Sequence, residues 1–165
     1  MQENPQSNVS DTASTTLGFQ LAKIAKLKRQ LIDIYVAKIN LCRTEWQALF
    51  WIDKLGNCTQ KELLKNLEID AGHLARVLEK LEQKKYILRA RVKENRRCLF
   101  IQLTSYCRQE IIPQILTAMQ KEEDLLLDKI TAHDKKLLIQ SLFQIEQNVE
   151  AALNSELHKK ESNYE

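Results

Sequence analysis

The sequence predicts a mostly α-helical protein with a small β-hairpin, arranged as a winged helix-turn-helix with further helices at both ends. Apolar residues recur at three- and four-residue steps through most of the chain, which is the period of an amphipathic helix. Only 3 of the 165 residues are Gly and 2 are Pro, the two residue types that disfavour helix interiors most. Between residues 86 and 103 this period gives way to two runs rich in aromatic and β-branched residues, which favours a hairpin.

The N-terminal part of the chain divides into a polar arm and three helices. Residues 1–15 have no helical period and are predicted to form a disordered arm. The first helix is expected over residues 16–40. The next begins at Thr44 and stops at Gly56, and a short helix begins at Thr59. Because an amide or acid follows each Thr by three residues, both starts match a capping box.

A fourth helix, about residues 70–84, has two different faces. Asp70 is a suitable N-cap, and the predicted buried stripe consists of Leu74, Val77, Leu78 and Leu81. The opposite face combines small side chains with cations, as a helix needs in order to approach a DNA major groove and reach base edges. The candidate contact residues on this face are Ala71, Gly72, His73, Ala75, Arg76 and Lys80. An ordinary solvated face is the alternative interpretation.

The hairpin at about residues 86–103 concentrates positive charge at its tip. Residues 73–97 contain nine Lys or Arg against three acidic residues, whereas the whole chain has a formal net charge of +3. A basic tip suits a narrow minor groove, where the potential is most negative, although a solvated turn is the alternative here too. The candidate contacts are Arg91, Lys93, Asn95, Arg96 and Arg97. Helix and hairpin, adjacent and in this order, predict binding to double-stranded DNA.

The run Ile69–Thr104 resembles the MarR (multiple-antibiotic-resistance regulator) family of bacterial transcription factors. The resemblance is carried by Asp70, Arg76, Leu81, Glu82, Arg89, Arg96, Arg97, Leu103 and Thr104, and upstream by the runs LCRTEWQALFWI and TQKELLKNL. The sequence departs from the family pattern at four positions. Gly72 and Ala75 stand where the family has hydroxyl residues, Lys85 replaces a turn glycine, and Asn95 replaces an aspartate.

The resemblance implies a homodimeric transcription regulator, such as a repressor, on a pseudo-palindromic operator. The helix at 70–84 would enter the major groove and the wing would reach toward the minor groove. Residues 41–104 would be the DNA-binding domain, and the N- and C-terminal segments 16–40 and 105–154 would supply dimerisation helices. The alternative is a winged-helix protein–protein adaptor that has lost DNA binding.

The C-terminal third is predicted to contain two helices, one over residues 105–128 and one over about 133–154. Pro113 predicts a kink or a late start in the first of them. Residues 155–165 are polar and are expected to form a flexible tail. The flanking helices carry broad apolar faces, which a second copy of the chain would cover.

The resemblance also implies a pocket for a small aromatic or anionic effector between the dimerisation helices and the DNA-binding part. The candidate lining residues are Phe19, Tyr35, Trp46, Phe50 and Trp51. The same side chains equally fit the hydrophobic core, so the sequence leaves both interpretations open.

Other classes of function are not indicated by the sequence. It shows no phosphate loop, metal-ligand cluster or nucleophile–base motif, so we expect no enzyme activity, metal or cofactor. The 4 Cys form no C-x-x-C pair and are expected to be free thiols. Since no apolar run reaches the length of a membrane span and the N-terminus lacks a signal-peptide core, we expect a cytoplasmic, nucleoid-associated protein with no membrane partner.

Overall fold

The computed structural model describes residues 16–91 and 99–162, and it confirms a mostly helical fold with a small antiparallel sheet. The helices are α1 Leu17–Ala37, α2 Arg43–Leu55, α3 Gln60–Leu64, α4 Ala71–Gln83, α5 Ile112–Leu126 and α6 Ala132–Ser162. The strands are β1 Cys58–Thr59, β2 Ile87–Arg91 and β3 Leu99–Leu103, and a π-helical turn spans Cys107–Ile111. In the described residues no helix combines the length and apolarity needed to cross a membrane.

The helix starts are set by side chains that accept backbone hydrogen bonds. At α3 the capping box predicted from Thr59 is confirmed: Glu62 N–H donates to Thr59 Oγ1 (3.3 Å), and the Glu62 carboxylate accepts from the Thr59 amide (2.7 Å). At α2 the predicted cap is wrong, because the N-cap is Cys42 rather than Thr44. The Cys42 amide donates to the carboxylate of Glu45 (2.9 Å), which is a stronger acceptor than a neutral side chain.

The sheet contains the predicted hairpin and one strand that the sequence did not predict. Strands β2 and β3 pair antiparallel, with Ile87 opposite Leu103 and Arg91 opposite Leu99. The two-residue strand β1 pairs with the other edge of β3, so the described strands are ordered β1-β3-β2. A strand of two residues is too short for alternation to be recognised in a sequence. The segment that joins β2 to β3 lies outside the described residues.

The core of the winged-helix part is built from the stripe of α4 and its neighbours. The predicted stripe is confirmed, since Leu74, Val77, Leu78 and Leu81 are all buried. It belongs to one hydrophobic cluster with residues of α2, the sheet and α5, among them Leu49, Ile52, Ile87, Ile101 and Ile115.

The chain divides into two compact units, with the boundary between Glu122 and Glu123. Residues 105–122 were assigned from the sequence to the dimerisation region together with the last helix. They lie in the same compact unit as the winged helix and α1, and Ile112, Ile115 and Ala118 are buried in its core; their part in a dimer stays a prediction.

The helix that contains Pro113 begins at Ser105, so the late start predicted as one possibility does not occur; a π-helical turn precedes the proline instead. The Ile112 amide donates to the Cys107 carbonyl, five residues back, which is a π-helical hydrogen bond. Residues 105–106 are α-helical, with the Arg108 amide donating to the Thr104 carbonyl (3.0 Å), and regular α-helix resumes at Ile112. The π-helical turn therefore lies directly before the proline, which has no N–H to donate.

Two predicted helix boundaries are corrected. Helix α1 ends at Ala37 rather than near residue 40, and Asn40 adopts a left-handed conformation with φ 56°. Helix α6 extends to Ser162, so residues 155–162 continue the helix where a flexible tail was predicted. No Gly or Pro interrupts this stretch, and Lys159 pairs with Glu156 one turn earlier (2.6 Å), an arrangement that supports helix.

Helix α4 ends in a Schellman motif whose left-handed position is occupied by lysine. Lys85 has φ 58°; its amide donates to the Glu82 carbonyl, and the Tyr86 amide donates to the Leu81 carbonyl, both at 2.9 Å. This position is usually glycine, because a side chain in the left-handed region costs about 1–2 kcal/mol.

We expect Lys85→Gly to raise the free energy of unfolding by about 1 kcal/mol, because relief of the left-handed strain exceeds the entropy that Gly loses on folding. Thermal unfolding checks this. Lys85→Ala removes the same exposed charge but keeps the strained backbone, and it should leave the melting temperature nearly unchanged. An equal gain in both variants would show that charge, and not backbone strain, is responsible.

Candidate nucleic-acid interface

The N-terminus of α4 is fixed by Asp70, as the sequence predicted. The Asp70 carboxylate accepts from the His73 amide (2.8 Å), and this hydrogen bond lowers the pKa of Asp70. Gln60 of α3 donates from Nε2 to the Ala71 carbonyl (3.3 Å) and so ties the first turn of α4 to the preceding helix. A Cβ at Gly72 would lie 3.2 Å from Asp70 Oδ1. The glycine, a departure from the family pattern, therefore leaves room for the capping carboxylate.

The exposed face of α4 contains the predicted contact residues of this helix. Ala71, Gly72, Ala75, Arg76 and Lys80 are exposed, and His73 is half-buried. His73, Arg76 and Lys80 line one cavity of about 180 Å³ together with Thr44 at the start of α2. The structure thus brings these three side chains together beside a strip of small residues. Small side chains allow another molecule to approach the backbone of α4 closely.

The predicted wing contacts fall mainly outside the described residues. Lys93, Asn95, Arg96 and Arg97 lie there, and of Arg91 only the backbone is described, as the last residue of β2.

Arg89, which carries part of the family resemblance, lies on the protein side of the hairpin. Its side chain is only 23% exposed, and its Nε lies 3.3 Å from the carboxylate of Glu82 on α4. Arg89 therefore connects strand β2 to helix α4 and does not extend the exposed basic surface.

The five candidate effector residues occupy different settings. Trp46 is buried in the core, and Phe50 and Trp51 pack edge to face (5.6 Å between ring centroids) against that core. Phe19 is 48% exposed on α1. Tyr35 lines a groove of about 250 Å³ with Lys38, Ile39, Gln114, Thr117, Ala118 and Lys121. The burial of Trp46 and the packing of the half-buried Phe50 and Trp51 against the core favour the core interpretation for these three.

The cysteines within the described range are free thiols. Burial raises the pKa of Cys58 to about 11 and that of Cys107 to about 12, so neither is a reactive thiolate. Cys42 is exposed at the start of α2, and Cys98 lies outside the described residues. The described His, Cys, Asp and Glu side chains form no group that could hold a metal ion.

The C-terminal end of α4 is held by a largely buried ion pair. Lys84, the C-cap residue, donates from Nζ to both carboxylate oxygens of Glu45 at 3.0 Å. Burial by itself raises the pKa of Glu45, but the hydrogen bond from the Cys42 amide and the contacts with Lys84 outweigh it, and the net pKa is lowered. The pair lines a groove of about 590 Å³ together with Asp33, Arg43 and Lys80.

The order of the described elements defines a class of protein. A short helix, a tight connection and a second helix with an outward-facing basic surface are followed by a hairpin, which is the order of a winged helix-turn-helix. Residues 41–99 match the family model described as MarR family. Residues 41–99 of this chain are thus similar to the MarR family, which agrees with the resemblance found in the sequence.

Solved structures share this fold. A crystal structure of MarR is 29% identical and matches 81% of this chain and 96% of its own, with a TM-score of 0.66. A probable transcriptional regulator from Pseudomonas aeruginosa is 22% identical over 81% of this chain and 98% of its own, with a TM-score of 0.66. A mutant MarR from E. coli, complexed with operator DNA, is 22% identical over 78% of this chain and 92% of its own, with a TM-score of 0.67.

We expect Glu45→Gln to lower the free energy of unfolding by about 2 kcal/mol near neutral pH, because it leaves the Lys84 ammonium without its charged partner. The folded-state pKa of Glu45 is lowered from 4.5. Its stabilisation is therefore complete above that value and is lost as the pH falls through the folded-state pKa. The difference between the two proteins should shrink on acidification.

Urea unfolding at about pH 7 and about pH 3, at one protein concentration, measures this difference. Glu79→Gln, an exposed carboxylate of α4, is the control and should change stability by less than about 0.5 kcal/mol. A Glu45→Gln deficit that stays constant with pH would show that the carboxylate charge does not contribute.

Proposed function

We propose that this chain is a dimeric, sequence-specific DNA-binding transcription regulator whose helix α4 enters the major groove. The exposed face of α4 is the observation that carries the proposal. Ala71, Gly72 and Ala75 allow the helix backbone to approach DNA, and Arg76 and Lys80 lie one turn apart on that side. Arg donates well to guanine edges, and Lys contacts phosphates.

The hairpin is the second DNA-facing element of the proposal. Strands β2 and β3 pair along their full length, and a basic segment joins them in the sequence. Lys93, Arg96 and Arg97 in that segment are the side chains that we expect to reach the phosphates and the minor groove.

A homodimer is supported by exposed apolar side chains on two separate helices. Helix α1 exposes Leu17, Phe19, Ile24, Leu27 and Ile34, each 48–60% accessible. Helix α6 exposes Leu137, Leu138, Ile139, Phe143, Val149, Leu153 and Leu157. Apolar surface of this extent is unfavourable in water, and a second copy would cover it. Two-fold symmetry would then match half-sites about 10 bp apart.

Responsiveness to a small effector belongs to the proposal as well. The groove at Tyr35 is the candidate, because it combines an aromatic ring with two ammonium groups. Lys38 Nζ already lies 5.7 Å from the centre of the Tyr35 ring, and Lys121 lies on the facing helix α5. This chemistry suits a small aromatic anion.

DNA binding is tested with duplexes selected from a random pool by the full-length protein. The logarithm of the binding constant should fall steeply with the logarithm of salt concentration, by about 0.9 per phosphate contact. Arg76→Ala should weaken binding by about 10- to 100-fold and relax the preference at one base position. Lys26→Ala, which removes an exposed charge from α1, is the control and should retain both affinity and preference.

Two outcomes would contradict this proposal in different ways. If no duplex binds at low salt, the DNA-binding function is wrong and the protein–protein adaptor is favoured. If Arg76→Ala weakens binding to all DNA sequences equally, Arg76 contacts a phosphate and does not read bases.

The dimer is tested by placing one charge on α6. Val149 is 61% exposed, and we expect Val149→Glu to shift the protein from dimer to monomer in sedimentation velocity, because a carboxylate would be buried without a partner. Ala151→Glu adds the same charge about 200° around the helix and should leave the dimer intact. A wild-type protein that sediments as a monomer at micromolar concentration would exclude the dimer.

A further inference from the structure

One ammonium group joins three elements at the C-terminal end of the recognition helix. Lys84 Nζ contacts the Glu45 carboxylate in the first turn of α2 and also donates to the Asn40 carbonyl (3.0 Å) in the turn after α1. Glu45 in turn accepts from the Cys42 amide. We name Lys84, Glu45 and Asn40 the clamp. Through it, the end of α4, the start of α2 and the end of α1 meet at a single point.

The clamp is directional, whereas the contacts around it are not. The side chain of Glu45 is only 6% exposed, so its oxygens depend on the protein for hydrogen bonds, and charge-assisted hydrogen bonds restrict both distance and angle. The apolar cluster shared by α2 and α4 favours burial and restricts the angle between the helices only to within about 15–20°. Asn40 has φ 56°, a left-handed conformation that Asn tolerates better than most residues.

The position of the clamp connects the two surfaces that DNA recognition would need. Helix α1 carries an exposed apolar face assigned to the dimer, and α4 carries the DNA-facing side chains. The clamp links the turn that follows α1 to the C-terminal end of α4. Given the proposed DNA binding, on which this step rests, we infer that Lys84 and Glu45 are positioning residues that set the separation and angle of the two recognition helices of a dimer.

The separation of two recognition helices is read out by the spacing of DNA half-sites. One added or removed base pair moves the second half-site by about 3.4 Å and rotates it by about 34°. A protein with a fixed separation therefore discriminates strongly between spacings. A protein in which α4 can shift relative to α1 discriminates less.

The experiment measures binding of full-length variants to three duplexes: the site selected by the wild type, and that site with one base pair added or removed between its half-sites. Lys84→Met removes the ammonium and keeps an unbranched side chain that is compatible with helix. We expect about a tenfold loss on the selected site, a smaller loss on the altered sites, and a salt dependence equal to that of the control. Dimer formation should be unchanged in sedimentation.

Lys85→Met is the matched control. It removes one positive charge at the next residue, and the Lys85 side chain is exposed. We expect the ratio of affinities among the three duplexes to equal that of the wild type. Lys84→Arg, which keeps a charged donor, should recover part of the spacing discrimination.

A second variant keeps the test decisive if Lys84→Met does not fold. The double substitution Glu45→Leu with Lys84→Met replaces the ion pair by apolar groups, which often preserves stability. It should fold and dimerise, yet show the relaxed spacing preference.

The positioning role would be overturned if the single and the double variant each bound all three duplexes more weakly by the same factor. A salt dependence reduced by about one unit of slope would show instead that Lys84 contacts a phosphate. Failure of the wild type to bind any duplex is a separate outcome, since it would overturn the proposed function itself.

Discussion

The burial of one face of α4 is the constraint on which the rest of this structure depends. Leu74, Leu78 and Leu81 are fully buried and Val77 is 4% exposed, and burial of each such side chain stabilises the fold by about 1.5–3 kcal/mol. A helix has only one rotation about its axis that buries all four. That rotation turns Ala75, Arg76 and Lys80 outward, so the apolar stripe that stabilises the fold also orients the proposed DNA-contacting residues.

The two ends of α4 are fixed by different kinds of interaction. At the N-terminus, Asp70 accepts a hydrogen bond from an amide three residues away, and Gly72 leaves space for that carboxylate. At the C-terminus, Lys84 reaches residues 39 and 44 positions earlier in the chain. The start of the helix is thus fixed by neighbouring residues, whereas its end is hydrogen-bonded to the turn after α1 and to α2. A shift of α1 or α2 would therefore act on α4 through Lys84.

Much of the fold and part of the candidate site could be predicted from residue patterns. The cap at Asp70, the capping box at Thr59 and the stop at Gly56 depend on neighbours within a few residues, and they occur as predicted. The cap of α2 differs from the prediction, since it lies at Cys42 and not at Thr44. There Glu45 is the acceptor, and Glu45 is held in place by Lys84, which is distant in sequence. The strand β1 was missed for a similar reason, since only its pairing with β3 makes two residues a strand.

The sequence by itself determined the order of the helices, the hairpin, the buried stripe of α4 and the face that it leaves exposed, because these follow from the period of side chains along a helix and from short-range hydrogen bonds. Tertiary structure decided the rest. It placed Trp46 in the core and Arg89 against Glu82, and it joined Lys84 to Glu45 and Asn40. Those outcomes depend on which distant side chains meet in three dimensions, and no local pattern of residues encodes such a meeting.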